Sequence, residues 1–379
     1  MQKTSPSFWE RASFLSGIDL AVIGSGIVGL SAAIHFKERR PQSRVVVLER
    51  GALPLGASTR NAGFACFGSL TELMDDLEKQ AEDQVFALVE KRWRGLQRLR
   101  SRIGDAAMDF QLSGNFEIFR EDEEQVYQKC LDQIEYFNKK VQPITGSAST
   151  YCRSDEAAGH FGFKNVKHLI KNSCEGQLHT GKMMRRLISL AQEKGVEIFS
   201  GVQIENLEDS TSGPVLETAQ GWELRPAKVL AATNGFARQL LPALDVQPAR
   251  NQVIITHPVP GLKVKGCFHY DRGYVYFRNV DNRILLGGAR NLDFETEKTE
   301  QFGDTDLIQR ALSGLMSEMI LPGQKWSLDM CWSGIMGVGP EKKPIVQKWT
   351  ENIAVAVRMG GMGVAIGTLV GEEGAELLI

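Results

Sequence analysis

The chain has 379 residues, 42% of them hydrophobic, with 44 Lys+Arg against 46 Asp+Glu. That length suggests two or three domains and a core large enough to fold without a disulfide or metal staple. A net charge of −2 excludes the basic footprint of a nucleic-acid-binding protein, and the composition excludes bulk disorder.

In chain order, the first feature is an apolar run from Ile18 to Phe36, close to the length of a membrane span. Asp19, Gly24, Ser25, Gly26 and Gly29 interrupt it, so it reads as strand, turn and helix rather than as an export signal or membrane segment. Asp19–Ile23 is the strand, Leu30, Ala33 and Ile34 give a helical face, and Pro41 closes the helix. Val45–Leu48 is a second buried-type strand ending at Glu49, which completes a βαβ unit. Residues 50–70 read as a Gly/Ala/Ser-rich loop. One amphipathic helix is predicted over 73–103, a hairpin over 110–119 around Gly114-Asn115, and a charged helix over 121–140. A helix over 181–194 and a strand over 196–199 follow. Val229–Ala232 is an apolar strand entering Thr233-Asn234-Gly235. Stretches 253–257, 273–277 and 283–286 read as antiparallel strands. A last strand, 353–357, runs into Arg358-Met359-Gly360-Gly361-Met362-Gly363 and a final helix. The two kinds of strand interleave, so the domains are expected to be discontinuous. Six cysteines without C-x-x-C spacing, and histidines without H-x₃₋₅-H spacing, point away from zinc and toward free thiols in the cytoplasm.

Gly24, Gly26 and Gly29 form G-x-G-x-x-G between a strand and a helix, and Glu49 lies 20 residues beyond Gly29. The first glycine permits the tight turn, the second lets a pyrophosphate approach the backbone, and the third lets helix and strand pack closely. The helix N-terminus supplies unpaired N–H groups for phosphate. A carboxylate at Glu49 accepts from ribose hydroxyls and repels a 2′-phosphate, which disfavours NADP. The chain carries one such motif, whereas enzymes relaying electrons from a nicotinamide to a flavin commonly carry two.

Gly24-Ser25-Gly26-Ile27-Val28-Gly29, Glu49-Arg50, the loop Gly56–Gly63, the strand end Ala232–Gly235 and the glycine-rich segment 360–363 together resemble the D-amino acid oxidase superfamily. Within it, these residues are similar to those of glycine oxidase, sarcosine oxidase and bacterial amine oxidases or dehydrogenases. The resemblance implies an α/β (overall α+β) protein: a Rossmann-like FAD-binding domain over 17–85, 165–245 and 335–379, and a substrate domain on a mixed, mainly antiparallel sheet over 86–164 and 246–334. It implies non-covalent FAD and hydride transfer from a C–H beside an amine nitrogen to flavin N5, with dioxygen or a quinone as acceptor. By resemblance, the loop Ala57, Ser58, Thr59, Arg60, Asn61, Ala62 and Gly63 runs along the ribityl chain and ring. Val202 meets adenine, and Ala232, Thr233, Asn234 and Gly235 pack near the adenine and pyrophosphate end. Gly334, Ile335, Arg358, Gly360, Gly361, Met362, Gly363 and Val364 border the flavin. The 360–363 glycines would let N–H groups and the final helix stabilise negative charge at the N1/O2 edge of a reduced flavin.

The sequence also departs from its kin. Where glycine oxidases place a carboxylate-binding Arg in Trp-x-Gly-Leu-Arg-Pro, this chain has Trp332-Ser333-Gly334-Ile335-Met336-Gly337. Met336 cannot pair with a carboxylate. The sarcosine oxidase tethering Cys falls on Gly334, and its Lys falls on Ala365. Two readings remain open: Arg60, Arg272, Arg278 or Arg290 takes the carboxylate, or the substrate is an amine without one. Tyr274, 276 and 278 share one strand face, with Tyr274 expected over the flavin or substrate. Trp332, Met336 and Arg60 join it as pocket candidates. A non-amine donor such as a hydroxy acid, or a non-catalytic flavoprotein, is the alternative function.

Overall fold

The computed structural model describes residues 5–379. A six-stranded sheet runs in the order Ile345–Lys348, Ile353–Val357, Lys228–Ala231, Leu20–Ile23, Val45–Glu49, Glu197–Ser200. Its pairs are parallel except for the edge strand 345–348. All residues of the three strands Leu20–Ile23, Val45–Glu49 and Ile353–Val357 are buried, as continuous apolar runs covered on both faces must be. Helices Ile27–Arg39, Glu82–Ile103, Thr180–Glu193 and Gly363–Glu376 contribute one covering core. A three-stranded meander over 204–224 contributes to the core on the other side.

The second sheet has eight strands, in the order Leu328–Val338, Gln247–Thr256, Arg283–Gly288, Val275–Val280, Cys267–Tyr270, Asn115–Arg120, Val166–Asn172, Tyr151–Arg153. Its pairs are antiparallel except 267–270 with 115–120. Strand Val166–Asn172 belongs to this sheet, although residues from 165 onward were expected in the nucleotide half. Among the described residues no helix is long and apolar enough to cross a membrane.

Three local expectations are corrected. The single helix over 73–103 is two, Leu70–Leu77 and Glu82–Ile103. Ser69 caps the first, and Glu82 and Asp83 open the second with acidic residues at its positive end. The hairpin over 110–119 is absent: Gln111 makes one bridge with Gln177, and Asn115–Arg120 pairs with remote strands on both sides. Gly114, at φ +77°, turns the chain without returning it on itself. The charged helix spans Glu124–Thr145 and ends at Gly146, in the left-handed region that favours glycine.

Candidate active site

A cavity of about 1160 Å³ extends from the glycine turn across to the eight-stranded sheet. That exceeds the usual few hundred to about 1,000 Å³ of a small-molecule pocket. Gly24, Gly26, Ile27, Val28, Glu49, Arg50, Ala57, Ser58, Arg60, Asn61 and Ala62 line it from the first third of the chain. Val202, Ala232, Thr233, Asn234, Tyr274, Gly334, Ile335, Met336, Gly360, Gly361, Met362, Gly363 and Val364 line it from the rest. Ser25, Gly29, Thr59, Gly63, Gly235, Trp332 and Arg358 stand outside its wall.

Those outside residues hold the wall in shape. Ser25 donates N–H and O–H to Glu49 Oε2, at 3.1 and 2.7 Å, while Glu49 Oε1 accepts from Gly51 N–H at 2.9 Å. The carboxylate thus ties the glycine turn to the end of the second strand. Thr59 Oγ donates to the Pro54 carbonyl at 2.6 Å. Trp332 Nε1 donates to the Arg60 carbonyl at 2.9 Å, and Arg60 Nη1 donates to the Ser333 carbonyl at 2.9 Å. These two bonds clip the loop 57–63 to strand Leu328–Val338. Arg278 is buried beneath Gly63, whose carbonyl it approaches at 3.3 Å. Arg358 donates to the Asp245 carboxylate at 2.8 Å, away from the cavity. Asn234 Oδ1 accepts the N–H groups of Arg358 and Met359, at 3.1 and 3.2 Å, fixing the start of the glycine-rich segment. A Cβ on Gly361, which has φ +84°, would meet Met336 Sδ at 3.4 Å.

The dinucleotide implied by the resemblance fits this cradle. Gly26 caps helix Ile27–Arg39 with no side chain, and the Ile27 N–H donates to Ser58 Oγ at 3.0 Å, so that donor is already used. Thr233 Oγ1 is buried on the wall without a partner. Arg50 covers the Phe236 ring at 3.8 Å, and both line the cavity. Val202 itself donates its N–H to the Glu49 carbonyl at 2.9 Å, so that donor is already used.

The far end of the cavity is aromatic. Phe64 stacks on His269 with centroids 5.1 Å apart and meets the Tyr276 ring edge-on. The Tyr276 hydroxyl accepts from Asn251 Nδ2 at 3.1 Å. Asn115 Nδ2 sits 2.8 Å from His269 Nδ1 and 2.6 Å from Glu175 Oε2. An amide nitrogen only donates, so His269 accepts at Nδ1 and carries its proton on Nε2. Burial pushes the His269 pKa down to about 4, against the opposing pull of Glu72, and keeps the ring neutral.

Sequence reasoning missed a charged cluster on the same wall. Glu72 lies 3.4 Å from the fully buried Arg92 and 3.0 Å from Lys342, which also reaches Asp76 at 2.8 Å. Burial opposes the Glu72 charge, but Arg92 and Lys342 outweigh it and hold the pKa at about 2.

Behind the wall, burial raises Glu117 and Glu175 to about 7 each, although hydrogen bonds from Thr71 and Asn115 pull the other way. A carboxyl raised from 4.5 to about 7 is protonated when folded but ionised when unfolded. Its contribution is complete below pH 4.5 and is lost as pH rises through 7. Folding stability is therefore expected to fall between about pH 4.5 and 7, by roughly 3 kcal/mol for each such group. Glu175→Gln should flatten that slope in urea unfolding followed across pH, and an unchanged slope would assign it elsewhere.

The chain is 24% identical over 374 residues to gamma-glutamylputrescine oxidoreductase of Escherichia coli strain K12, covering 95% of this chain and 83% of that one. It is 22% identical over 376 residues to glycine oxidase of Geobacillus kaustophilus strain HTA426, covering 95% and 92%. Its fold superposes on the crystal structure of L-proline dehydrogenase from P. horikoshii with a TM-score of 0.77 at 18% identity, covering 96% and 94%. The family model described as FAD dependent oxidoreductase matches residues 19–377. With that match over nearly its whole length, the chain belongs to the FAD-dependent oxidoreductase family.

Proposed function

We propose that this protein oxidises the CH–NH bond of an amine or amino acid, with non-covalently held FAD as the hydride acceptor. The observation that carries the reading is the single cavity running from the phosphate-type glycine turn to the aromatic wall of the eight-stranded sheet. The relatives are named for action on amines and amino acids, which favours nitrogen donors over hydroxy acids.

Bound FAD supplies the electron sink at N5. The first-turn N–H groups of helix Ile27–Arg39 other than that of Ile27, which Ser58 takes, would hold its pyrophosphate, and Glu49 its ribose. The chain's own part is to orient and desolvate. Phe64, Tyr276 and Met336 exclude water from their side of the cavity. Neutral His269 adds no charge to repel an incoming ammonium group. Tyr274, at the rim and 36% exposed, contacts the substrate through its hydroxyl. The nucleotide half comprises 17–85, 165–245 and 335–379, except that helix Glu82–Ile103 joins it while strands Val166–Asn172 and Leu328–Val338 belong to the substrate half. The six free thiols suit the reducing cytoplasm.

The test is the visible spectrum of the purified protein, then anaerobic titration with amines, N-methyl amino acids, D-amino acids and 2-hydroxy acids. A two-band flavin spectrum released by acid and bleached by a nitrogen donor is expected. Reoxidation in air against reoxidation by a quinone then identifies the acceptor. Bleaching by hydroxy acids alone, or a protein that takes up no FAD, would overturn the reading. Tyr274→Phe should lower kcat/KM about tenfold, the worth of one neutral hydrogen bond.

A further inference from the structure

Of the four arginines left open by the sequence, three are engaged. Arg278 is buried under Gly63 and does not reach the cavity. Arg272 pairs with Asp75 at 3.7 Å and is 59% exposed. Arg60 donates to the Ser333 carbonyl and lies 4.4 Å over the Phe302 ring. The lysines that share the half-buried part of the wall are neutralised: Lys342 by Glu72 and Asp76, and Lys91 by Glu373 at 2.6 Å.

Arg290 is different. Strand Arg283–Gly288 ends just before it, and Ala289, at φ +59°, turns the chain while donating its N–H to the Tyr274 carbonyl at 2.8 Å. The turn sets Arg290 on the cavity wall beside Tyr274. Its guanidinium lies 4.8 Å over the Phe294 ring, which meets Tyr274 edge-on at 5.8 Å. Among the described residues it forms no ion pair. The nearby buried carboxylate, Glu297, is committed to Arg250 at 3.0 and 2.8 Å. Burial also depresses the pKa of Arg290, against the opposing pull of Tyr274 and Glu297. Such a charge is costly to hold unless something completes it. A guanidinium held over an aromatic ring by its central carbon keeps N–H donors free for a carboxylate.

We infer that Arg290 anchors a substrate carboxylate, replacing the arginine that Met336 lacks, so that the substrate is an amine that also carries a carboxylate group. This rests on the amine-oxidising reading above. The carboxylate binds as a salt-bridged pair on the Phe294 platform, with Tyr274 beside it, at the rim rather than at Met336.

The experiment uses the FAD-loaded protein and follows perturbation of the flavin spectrum by benzoate, with uncharged benzamide as its isostere. Arg290→Met is expected to weaken benzoate about 10- to 100-fold, the range for a charged hydrogen-bonded pair, and to leave benzamide unchanged. Arg290→Lys should recover part of the loss, and it also serves if the Met variant folds poorly. In turnover, KM for the carboxylate-bearing substrate should rise while kcat moves little. Comparing α-amino with ω-amino acids of equal length shows which carboxylate is held, by which series loses KM in Arg290→Met. Equal benzoate affinity in wild type and Arg290→Met, or a loss that follows Arg60→Met instead, would overturn the inference. Failure of the two readings is distinguishable. Amines bleaching the flavin while benzoate ignores Arg290 sinks only the anchor. Hydroxy acids bleaching it while benzoate still requires Arg290 sinks only the nitrogen donor.

Discussion

Gly29→Val is expected to yield a protein that loses its FAD and melts well below wild type. Gly29 touches no ligand space. It sits in the first turn of helix Ile27–Arg39, where an added Cβ would collide with the Gly24 carbonyl and reach Val22 Cγ1 at 3.2 Å. The Gly24 carbonyl belongs to backbone fixed by the Gly24 N–H bond to Leu48 at 2.9 Å, so neither side can yield cheaply. The helix must tilt off the sheet, carrying with it the N–H groups that face the pyrophosphate. Overpacking of this kind costs roughly 3 kcal/mol, a fall in melting temperature of roughly 6 °C. Differential scanning calorimetry and the flavin-to-protein absorbance ratio read the two effects separately. A variant that melts normally with full flavin would show that helix and strand do not need this contact.

Glu72→Gln should cost about 3 kcal/mol at neutral pH. The substitution leaves Arg92, whose side chain is 2% exposed, and Lys342 with one fewer negative charge to face. Breaking a buried pair from one side is far more costly than replacing both partners. The pH dependence gives an independent check. Because the folded pKa of Glu72 is depressed to about 2, its stabilisation is present above pH 4.5 and is lost as pH falls from 4.5 toward 2. Wild type and Glu72→Gln should therefore converge in stability near pH 2 to 3. Urea midpoints that stay equally far apart from pH 7 to pH 3 would attribute the effect to packing alone.

Much of the nucleotide end was legible because its chemistry is local. The glycine turn, the helix and Glu49 lie within thirty residues, and their roles follow from backbone freedom and helix-end charge. The substrate end was not. The Ser69 hydroxyl accepts the Glu72 N–H at 3.4 Å, a local cap. Nothing local says that the carboxylate will face Arg92 and Lys342. His269 and Asn251 come together with Tyr276 only through strand register, since His269 pairs with Tyr276 across one ladder. The Phe110–Phe119 misreading has the same origin, because Asn115–Arg120 finds both its neighbours far along the chain. Arg290 was named as one of four equals. Only the partners held by the other three single it out.

The strand order of the six-stranded sheet also sets a timetable. Leu20–Ile23 is ready early, but its neighbour Lys228–Ala231 needs Ile353–Val357 on its other edge. Helix Gly363–Glu376 shares the core of helix Ile27–Arg39. At 5–20 residues per second, the ribosome takes roughly 20–60 s between the first and last of these strands. The glycine turn therefore spends that interval without its finished wall. The wall supplied by residues 334–365 is made last, and a chain stopped short of residue 345 would expose an apolar sheet edge.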